Sequence, residues 1–367
     1  MNLICEHENS QIYHDNRCIK RFKNRLMFEN TVKFHKATAD MPFLLQPLEI
    51  RDMEIHYPWM EHPLAHMLPM YTQEQKNHIF ESVCSMVYQL FERGIAHGDL
   101  HLEHVFMVDD KPILFDPWYI EIPTGTSFRN SHDVYCIDPN SPHANKEKKP
   151  CLKLLGNKMG VAIDPYEYVS HLVKEEIKQF SGSETYDDMR GKTTYSSYDN
   201  KNFTMAGWRG TKIRIDNFIN NAGVDFKGKT VLDLGCNCGA ISLYLAELGA
   251  KVTGVDVSPE RVSLCKRLNR FLGLNAEFGE FNLSAANPIS GDYDIIIAFA
   301  ITGRVADETT ILHDIYSHCK ELLFESNNCK KDKYEEIFRT FGFNVIKHLG
   351  NTGPDFPARI TYYCKKE

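Results

Sequence analysis

The sequence predicts an α/β chain of two domains: a compact α+β domain, then one with a mainly parallel sheet and helices on both faces. Three observations carry this reading. At 367 residues the chain is too long for one ordinary core. From Gly207 onward, short apolar runs alternate with helical segments, as in βαβ units. Residues 181–200 are rich in Ser, Gly, Thr and Tyr with dispersed charge, which marks a boundary. We therefore expect domains at 1–180 and 207–367, joined by a linker over 181–206.

The elements follow in order. Gln11–Tyr13 and Arg17–Lys20 are short β-like runs, and a charged helix is expected from about Asn24 to Ala37. Over residues 71–93, Ile79, Val83, Met86, Val87, Leu90 and Phe91 recur at helical spacing, and Gly94 supplies the stop. Val105–Val108 and Ile113–Phe115 flank the turn Asp109–Pro112 and read as a β-hairpin. Residues 164–180 form a helix with Asp164 as N-cap and Pro165 in its first turn. Beyond the boundary the strands are Thr230–Leu234, Lys251–Val257, Tyr293–Phe299 and Glu321–Glu325. A closing pair lies near Phe343–Lys347 and Ile360–Cys364.

The totals limit the function. The net charge of −7 lacks the basic excess of a general nucleic-acid binder, although a local patch could serve a folded RNA. Met1–Glu8 has neither the charged start nor the apolar run of a signal peptide. No stretch approaches the ~20 apolar residues of a membrane span. The 11 cysteines are scattered, and Cys236 and Cys238, alternating in a tight loop, are not a zinc knuckle. Free thiols in the cytoplasm are expected.

Thr230–Leu234 is a strand carrying Asp233. The loop Gly235–Gly239 follows it, and a helix begins at Ala240. In such sheets ligands bind beyond the carboxyl ends of the strands, and glycine lets the backbone approach. The next strand ends in Asp256, an acid spaced to accept hydrogen bonds from ribose hydroxyls. The loop resembles the acidic-x-Gly-x-Gly-x-Gly signature of the Rossmann-like S-adenosylmethionine (SAM)-dependent methyltransferase family, over roughly residues 207–367. It lacks the Gly-x-Gly-x-x-Gly order of NAD folds. Asn237 departs from the family's glycine, but asparagine tolerates a left-handed backbone.

The resemblance implies that Asp233, Gly235, Cys236, Asn237 and Gly239 face the methionine part of SAM and that Asp256 holds its ribose. Glu280 and Phe281 fall where the family binds adenine. Phe299 falls where its substrate-facing loop begins. Gly207–Arg214 resembles the Gly-x-Arg-x-x-x-x-Arg entry of some bacterial and phage methyltransferases. Arg209 is therefore a candidate for the cofactor carboxylate or a substrate anion, the alternative being an exposed helix start. No nucleophilic cysteine or Asn-Pro-Pro-Tyr-type loop is present, so an oxygen acceptor is expected by elimination.

In the first half, the loop Gly94–His104 carries Asp99, and the hairpin after it ends at Asp116. Phosphoryl transfer needs one carboxylate beside the attacking hydroxyl and another to hold magnesium. The order resembles the His-Gly-Asp-Leu-His branch of the protein-kinase-like fold, which contains sugar and small-molecule kinases. The resemblance implies ATP and Mg as cofactors, Asp99 as catalytic base and Asp116 as metal ligand. His104 stands where the branch has its metal-binding asparagine. Lys20 is the candidate for the phosphate-contacting lysine and Glu29 for its ion-pair partner. His56–Glu61 would lie near the hinge between lobes.

The pair resembles bifunctional kinase–methyltransferases that cap bacterial polysaccharides. It implies phosphorylation of a sugar or glycan hydroxyl and methyl transfer to an oxygen acceptor, possibly that phosphate. The partner is then a small molecule or glycan. The alternative is a methyltransferase of a small molecule or RNA with a non-catalytic pseudokinase module.

Overall fold

The structure is a computed structural model that describes residues 2–135, 151–181, 194–284, 286–302, 305, 307–327, 331–350 and 359–366. The chain divides into two units, Met1–His171 and Leu172–Glu367.

In the first unit, β1 (Asn2–Glu6), β2 (Ser10–His14), β3 (Arg17–Phe22), β4 (Glu49–Arg51) and β5 (Glu54–Pro58) form an antiparallel sheet in the order β1-β2-β3-β5-β4. Helix α1 (Arg25–Ala37) enters behind Asn24, whose side chain accepts from the Met27 N–H. Its buried residues Phe28, Thr31, Phe34 and His35 recur at helical spacing. Cys18, Phe22, Phe28, Ile55, Tyr57 and Phe115 pack together beneath the sheet.

The rest of this unit is mostly helical. After the short α2 (Leu64–Met67), α3 (Gln73–Glu92) opens on a capping box between Thr72 and Gln75 and buries Ile79, Val83, Val87, Leu90 and Phe91. Strand β6 (Ile95–Ala96) leads into the loop that carries Asp99. The hairpin β7 (Val105–Val108) and β8 (Lys111–Leu114) follows, with Asp109 and Asp110 both at positive φ in its turn. β9 (Ile120–Glu121) pairs back with β6, and α4 (His132–Tyr135) and α5 (Leu152–Met159) follow. Helix α6 (Pro165–Ser181), within which the first unit ends at His171, is capped by Asp164, whose Oδ1 accepts from the Tyr166 and Glu167 N–H groups.

In the second unit, β10 (Thr194–Asp199) lies between β11 (Thr204–Met205) and β12 (Gly207–Gly210). Two strands thus lie within the expected linker, where Tyr198 donates to Glu247 and the Tyr195 hydroxyl accepts from Arg359. Residues 182–193 lie outside the described residues. Helix α7 (Thr211–Ala222) leads to the main sheet.

That sheet contains β13 (Thr230–Leu234), β14 (Lys251–Asp256), β15 (Glu277–Glu280), β16 (Tyr293–Phe299), β17 (Cys319–Glu325), β18 (Val345–His348) and β19 (Thr361–Lys365). The order is β15-β14-β13-β16-β17-β19-β18. The first five strands run parallel, and β19 pairs antiparallel with β17 and β18. Helices α8 (Ala240–Glu247), α9 (Pro259–Leu272), α10 (Glu308–His318) and α11 (Lys331–Phe341) supply the crossovers. The strand order reverses between β13 and β16, so a crevice opens at their carboxyl ends.

Among the described residues, no helix is long and apolar enough to cross a membrane. Among the described residues eight cysteines are free, but Cys151 is disulfide-bonded, which corrects the expectation of free thiols throughout. Pairing depends on proximity in the fold, which spacing along the chain does not report.

Candidate functional site

The loop after β13 is fastened to β14 from below. The N–H groups of Gly235 and Cys236 donate to the Val255 carbonyl at 2.8 and 2.9 Å. Asn237 has φ 54°, the left-handed conformation its residue type allows, and its Oδ1 accepts from the Cys238 N–H at 2.8 Å. Gly239 has φ 76°, and a Cβ there would meet Cys265 Sγ at 3.0 Å, so the helix start sits too close for a side chain. Asp256 Oδ2 accepts from the Asn237 N–H at 2.9 Å and its Oδ1 from the Ser258 N–H at 3.1 Å. Two backbone donors orient the carboxylate, and the Arg261 guanidinium lies 3.7 Å from its Oδ1.

A cleft of about 220 Å³ lies over this loop, and Gly235, Asn237, Asp256, Phe281 and Phe299 line it. Five other expected residues of this domain do not. Asp233 is buried behind the loop and accepts from Ser242 Oγ at 2.6 Å. Burial pushes its carboxyl up to about 6, against the opposing pull of Ser242 and Arg214. Cys236 is buried, and its thiol is pushed well above its usual value by Cys265 and by burial. Gly239 caps the helix. Glu280 is exposed at the end of β15, and the next residue, Phe281, turns inward.

Arg209 is also absent from the cleft lining. It is 3% exposed and donates to Glu325 at 2.6 Å. Arg214 reaches the same carboxylate at 3.3 Å and lies 4.5 Å over the Phe299 ring. Arg359 donates to Glu325 at 2.9 Å and to the Tyr195 hydroxyl at 2.6 Å. Arg359 and Tyr195 line the cleft, together with Asn327. The arginines expected to meet an anion thus meet one inside the domain. The readable signal for Glu325 was its place at the end of a strand, like Asp256.

In the first unit, Gly98 has φ 79°, and a Cβ there would lie 2.3 Å from the Trp118 carbonyl oxygen. The loop is fastened by Asp133, which accepts from the N–H groups of His97 and Gly98 at 2.6 and 2.9 Å. His97 is fully buried against the Phe115 carbonyl, and burial pushes its ring down to about 4. Asp133 carried no sequence signal, since its role needs the loop to fold back on α4.

This frame brings Lys20, Asp99, His104 and Asp116 together. Lys20, buried on β3, pairs with Asp116 Oδ1. His101 Nε2 lies 3.0 Å from Asp99 Oδ1, and His104 Nδ1 is 3.4 Å from Asp99 Oδ2. Burial raises the Asp99 carboxyl, although His104 and His101 oppose it. Burial also acts on Asp116, but Lys20 and His104 outweigh it and hold that acid below its usual range. Glu29 is not the lysine's partner. It is exposed on α1, one residue past Phe28 and about 100° around from the buried face. Among the described residues, no group of three His, Cys, Asp or Glu side chains surrounds a common metal position.

Residues 231–321 match the family described as Methyltransferase domain. The C-terminal part of the chain is a SAM-dependent methyltransferase domain. The methyltransferase domain is similar to the ubiquinone biosynthesis O-methyltransferase of Cereibacter sphaeroides, 30% identical over 103 residues. It is equally similar, 30% over 104 residues, to the protein of that name from Pseudoalteromonas translucida. Both matches cover 28% of this chain, and they cover 40% and 44% of those proteins. The chain therefore spans less than half the length of these relatives. Among solved structures, magnesium protoporphyrin IX methyltransferase from Synechocystis PCC 6803 aligns at 20% identity and TM-score 0.36, covering 42% of this chain and 78% of that one. A TehB-like methyltransferase from Corynebacterium glutamicum aligns at 19% identity and TM-score 0.34, covering 41% and 87%.

Proposed function

We propose that the chain is a bifunctional enzyme. Its methyltransferase domain, which begins near residue 207, transfers a methyl group to an oxygen acceptor. Its N-terminal domain, up to about residue 180, is kinase-like and phosphorylates a sugar or glycan hydroxyl with ATP and Mg. The observation that carries the methyltransferase part is the loop Gly235–Gly239 beside the pre-oriented Asp256. The kinase part rests on Lys20, Asp99, His104 and Asp116 meeting at one loop.

Bound SAM supplies the electrophilic methyl. The residues present fit it. Gly235 and Asn237 bring backbone close to the methionine part, and Asp256 accepts from the ribose hydroxyls. Phe281 offers an apolar face to the adenine. Asp233 supports the loop from behind through Ser242 rather than by contact. Phe299, Arg359 and Tyr195 border the space left for an acceptor.

In the N-terminal domain, Lys20 reaches the nucleotide phosphates once it leaves Asp116. Asp116 and His104 hold the divalent cation that neutralises those phosphates. Asp99, its carboxyl raised by burial, takes the proton of the attacking hydroxyl.

Covalent linkage of the two activities favours the phosphorylated product as the methyl acceptor, since tethering raises its local concentration. Incubating the full chain with candidate glycans, ATP and SAM, followed by mass spectrometry, tests this directly. Products carrying a phosphoryl and then a methyl group are expected. Methylation that proceeds without nucleotide on an unphosphorylated acceptor overturns it. The direct Lys20–Asp116 pair and the histidine at 104 favour a second reading, a pseudokinase module beside an active methyltransferase.

A further inference from the structure

Three guanidiniums share the single carboxylate of Glu325 at the end of β17. Arg209 and Arg214, 3% and 1% exposed, are sealed inside the domain, whereas Arg359 lines the cleft. Its Nη1 donates to Glu325 Oε1 at 2.9 Å and to the Tyr195 hydroxyl at 2.6 Å, with nine-tenths of the side chain buried. Ser326 straps the neighbouring segment in place. Its N–H donates to the Ile360 carbonyl at 2.9 Å, and its Oγ accepts from the Ile360 N–H at 3.0 Å. The strap carries the register past the Glu325–Thr361 pair, so Asn327 comes opposite Arg359 at the cleft wall. Asn327 Oδ1 is buried and, among the described residues, has no hydrogen-bond partner. A buried acceptor without a donor is costly unless a ligand supplies one. On the neighbouring strand end, Ala300 also lines the cleft. Its φ is 58°, a left-handed conformation that alanine rarely takes, and its N–H donates to the Glu325 carbonyl at 2.8 Å. Strain of this kind collects at functional sites.

We propose that Arg359 and Asn327 bind the methyl acceptor, and that the acceptor is a sugar carrying an ionised oxygen, a phosphate monoester or a carboxylate. The proposal rests on the reading of the cleft as a site of methyl transfer to oxygen and deepens it by naming the acceptor class. A guanidinium meets an oxyanion through charge-assisted hydrogen bonds. The amide oxygen of Asn327 needs a donor, which a hydroxyl of the same sugar provides. The oxyanion gives an electron pair to the methyl carbon as the carbon–sulfur bond of SAM breaks. An ester forms, the sulfonium becomes a thioether, and no proton has to be removed.

The test titrates the full-length chain, loaded with S-adenosylhomocysteine, with glucose 6-phosphate, glucuronic acid and glucose in a calorimeter. At least one charged sugar is expected to bind tenfold or more tightly than glucose. Arg359→Gln should weaken that sugar by roughly 10–100-fold and leave SAM affinity within about twofold. Asn327→Asp should weaken it similarly by setting a carboxylate against the anion, and it leaves Glu325 its three arginines should Arg359→Gln fail to fold. The difference between native and variant chains isolates this site from any other that takes phosphate. If the charged sugars bind no better than glucose, or if the variants keep native affinity, the oxyanion site is overturned while methyl transfer to oxygen stands. If Arg359→Gln loses SAM in place of the sugars, the guanidinium serves the cofactor and the proposal falls. Binding of glucuronic acid alone keeps the site and removes the phosphorylated acceptor. If the native chain takes up no SAM, the reading of the cleft falls and the proposal with it.

Discussion

The two units hold their site carboxylates in different ways. Around the methyltransferase cleft, Asp256 and Asp233 are held by backbone N–H groups and a serine hydroxyl. Arg261 stands 3.7 Å from Asp256, and Glu325 is fully buried among arginines. In the N-terminal unit, Asp99 and Asp116 lie among Lys20, His101 and His104, with their side chains 23% and 15% exposed. The first arrangement is fixed, and neutral donors leave a carboxylate free to accept from a neutral hydroxyl. The second is a crowd of charged and chargeable groups whose partners can exchange. An organic cofactor suits the first kind of site, and a phosphate–metal complex suits the second.

Four substitutions would break or sharpen this contrast. The largest effect is expected for Asp99→Asn, which should lower phosphoryl transfer by about 10²–10⁴-fold while nucleotide binding persists, measured with labelled ATP. If transfer survives, the exchangeable cluster is not catalytic. Next, Glu325→Ala should destabilise the fold by roughly 3–5 kcal/mol in urea melts, because it leaves buried guanidiniums facing each other. A small effect would mean that the arginines are not held by this acid.

The third concerns Asp233, whose carboxyl is raised to about 6 from an ordinary 3.8. The folded chain then holds a proton that the unfolded chain has lost between those values. Its stabilising contribution is complete below about pH 4 and is lost as the pH rises through 6. Asp233→Asn should remove that slope and stabilise the unliganded domain near pH 8 by up to about 3 kcal/mol. Denaturation at pH 5 and pH 8 reads this directly, and an unchanged slope would assign the pH dependence elsewhere. The smallest effect is expected for Asp256→Ala, which should cost roughly 1.5–3 kcal/mol of SAM affinity by calorimetry with the fold intact. Unaltered affinity would remove Asp256 from the ribose role.

Much of this was legible in the sequence because it is local. The strand ending at Leu234, the left-handed Asn237 and the caps at Asp164 and Gly239 depend on neighbours a few residues away. Asp99 and Asp116 were readable for the same reason, as one loop and the hairpin that follows it. Asp133, Glu325, Arg359 and Tyr195 were missed because their partners are far along the chain. Arg209 was read as a ligand group because a sequence displays an arginine but not the carboxylate it folds against. Glu29 failed on helical phase, and the strands at Thr194–Asp199 and Thr204–Met205 went unread because polar Ser- and Tyr-rich runs also suit an edge of β-structure. Cys151 failed for want of any local mark of its bond.

The two hydrogen bonds from the His97 and Gly98 amides to Asp133 have a consequence for how the N-terminal unit opens. Those amide protons are sealed by a side chain from another element, not by a regular ladder. Their exchange with deuterium therefore requires that the segment carrying Asp133 detach. They form a built-in timer, and their lifetime reads how often the loop bearing Asp99 comes loose.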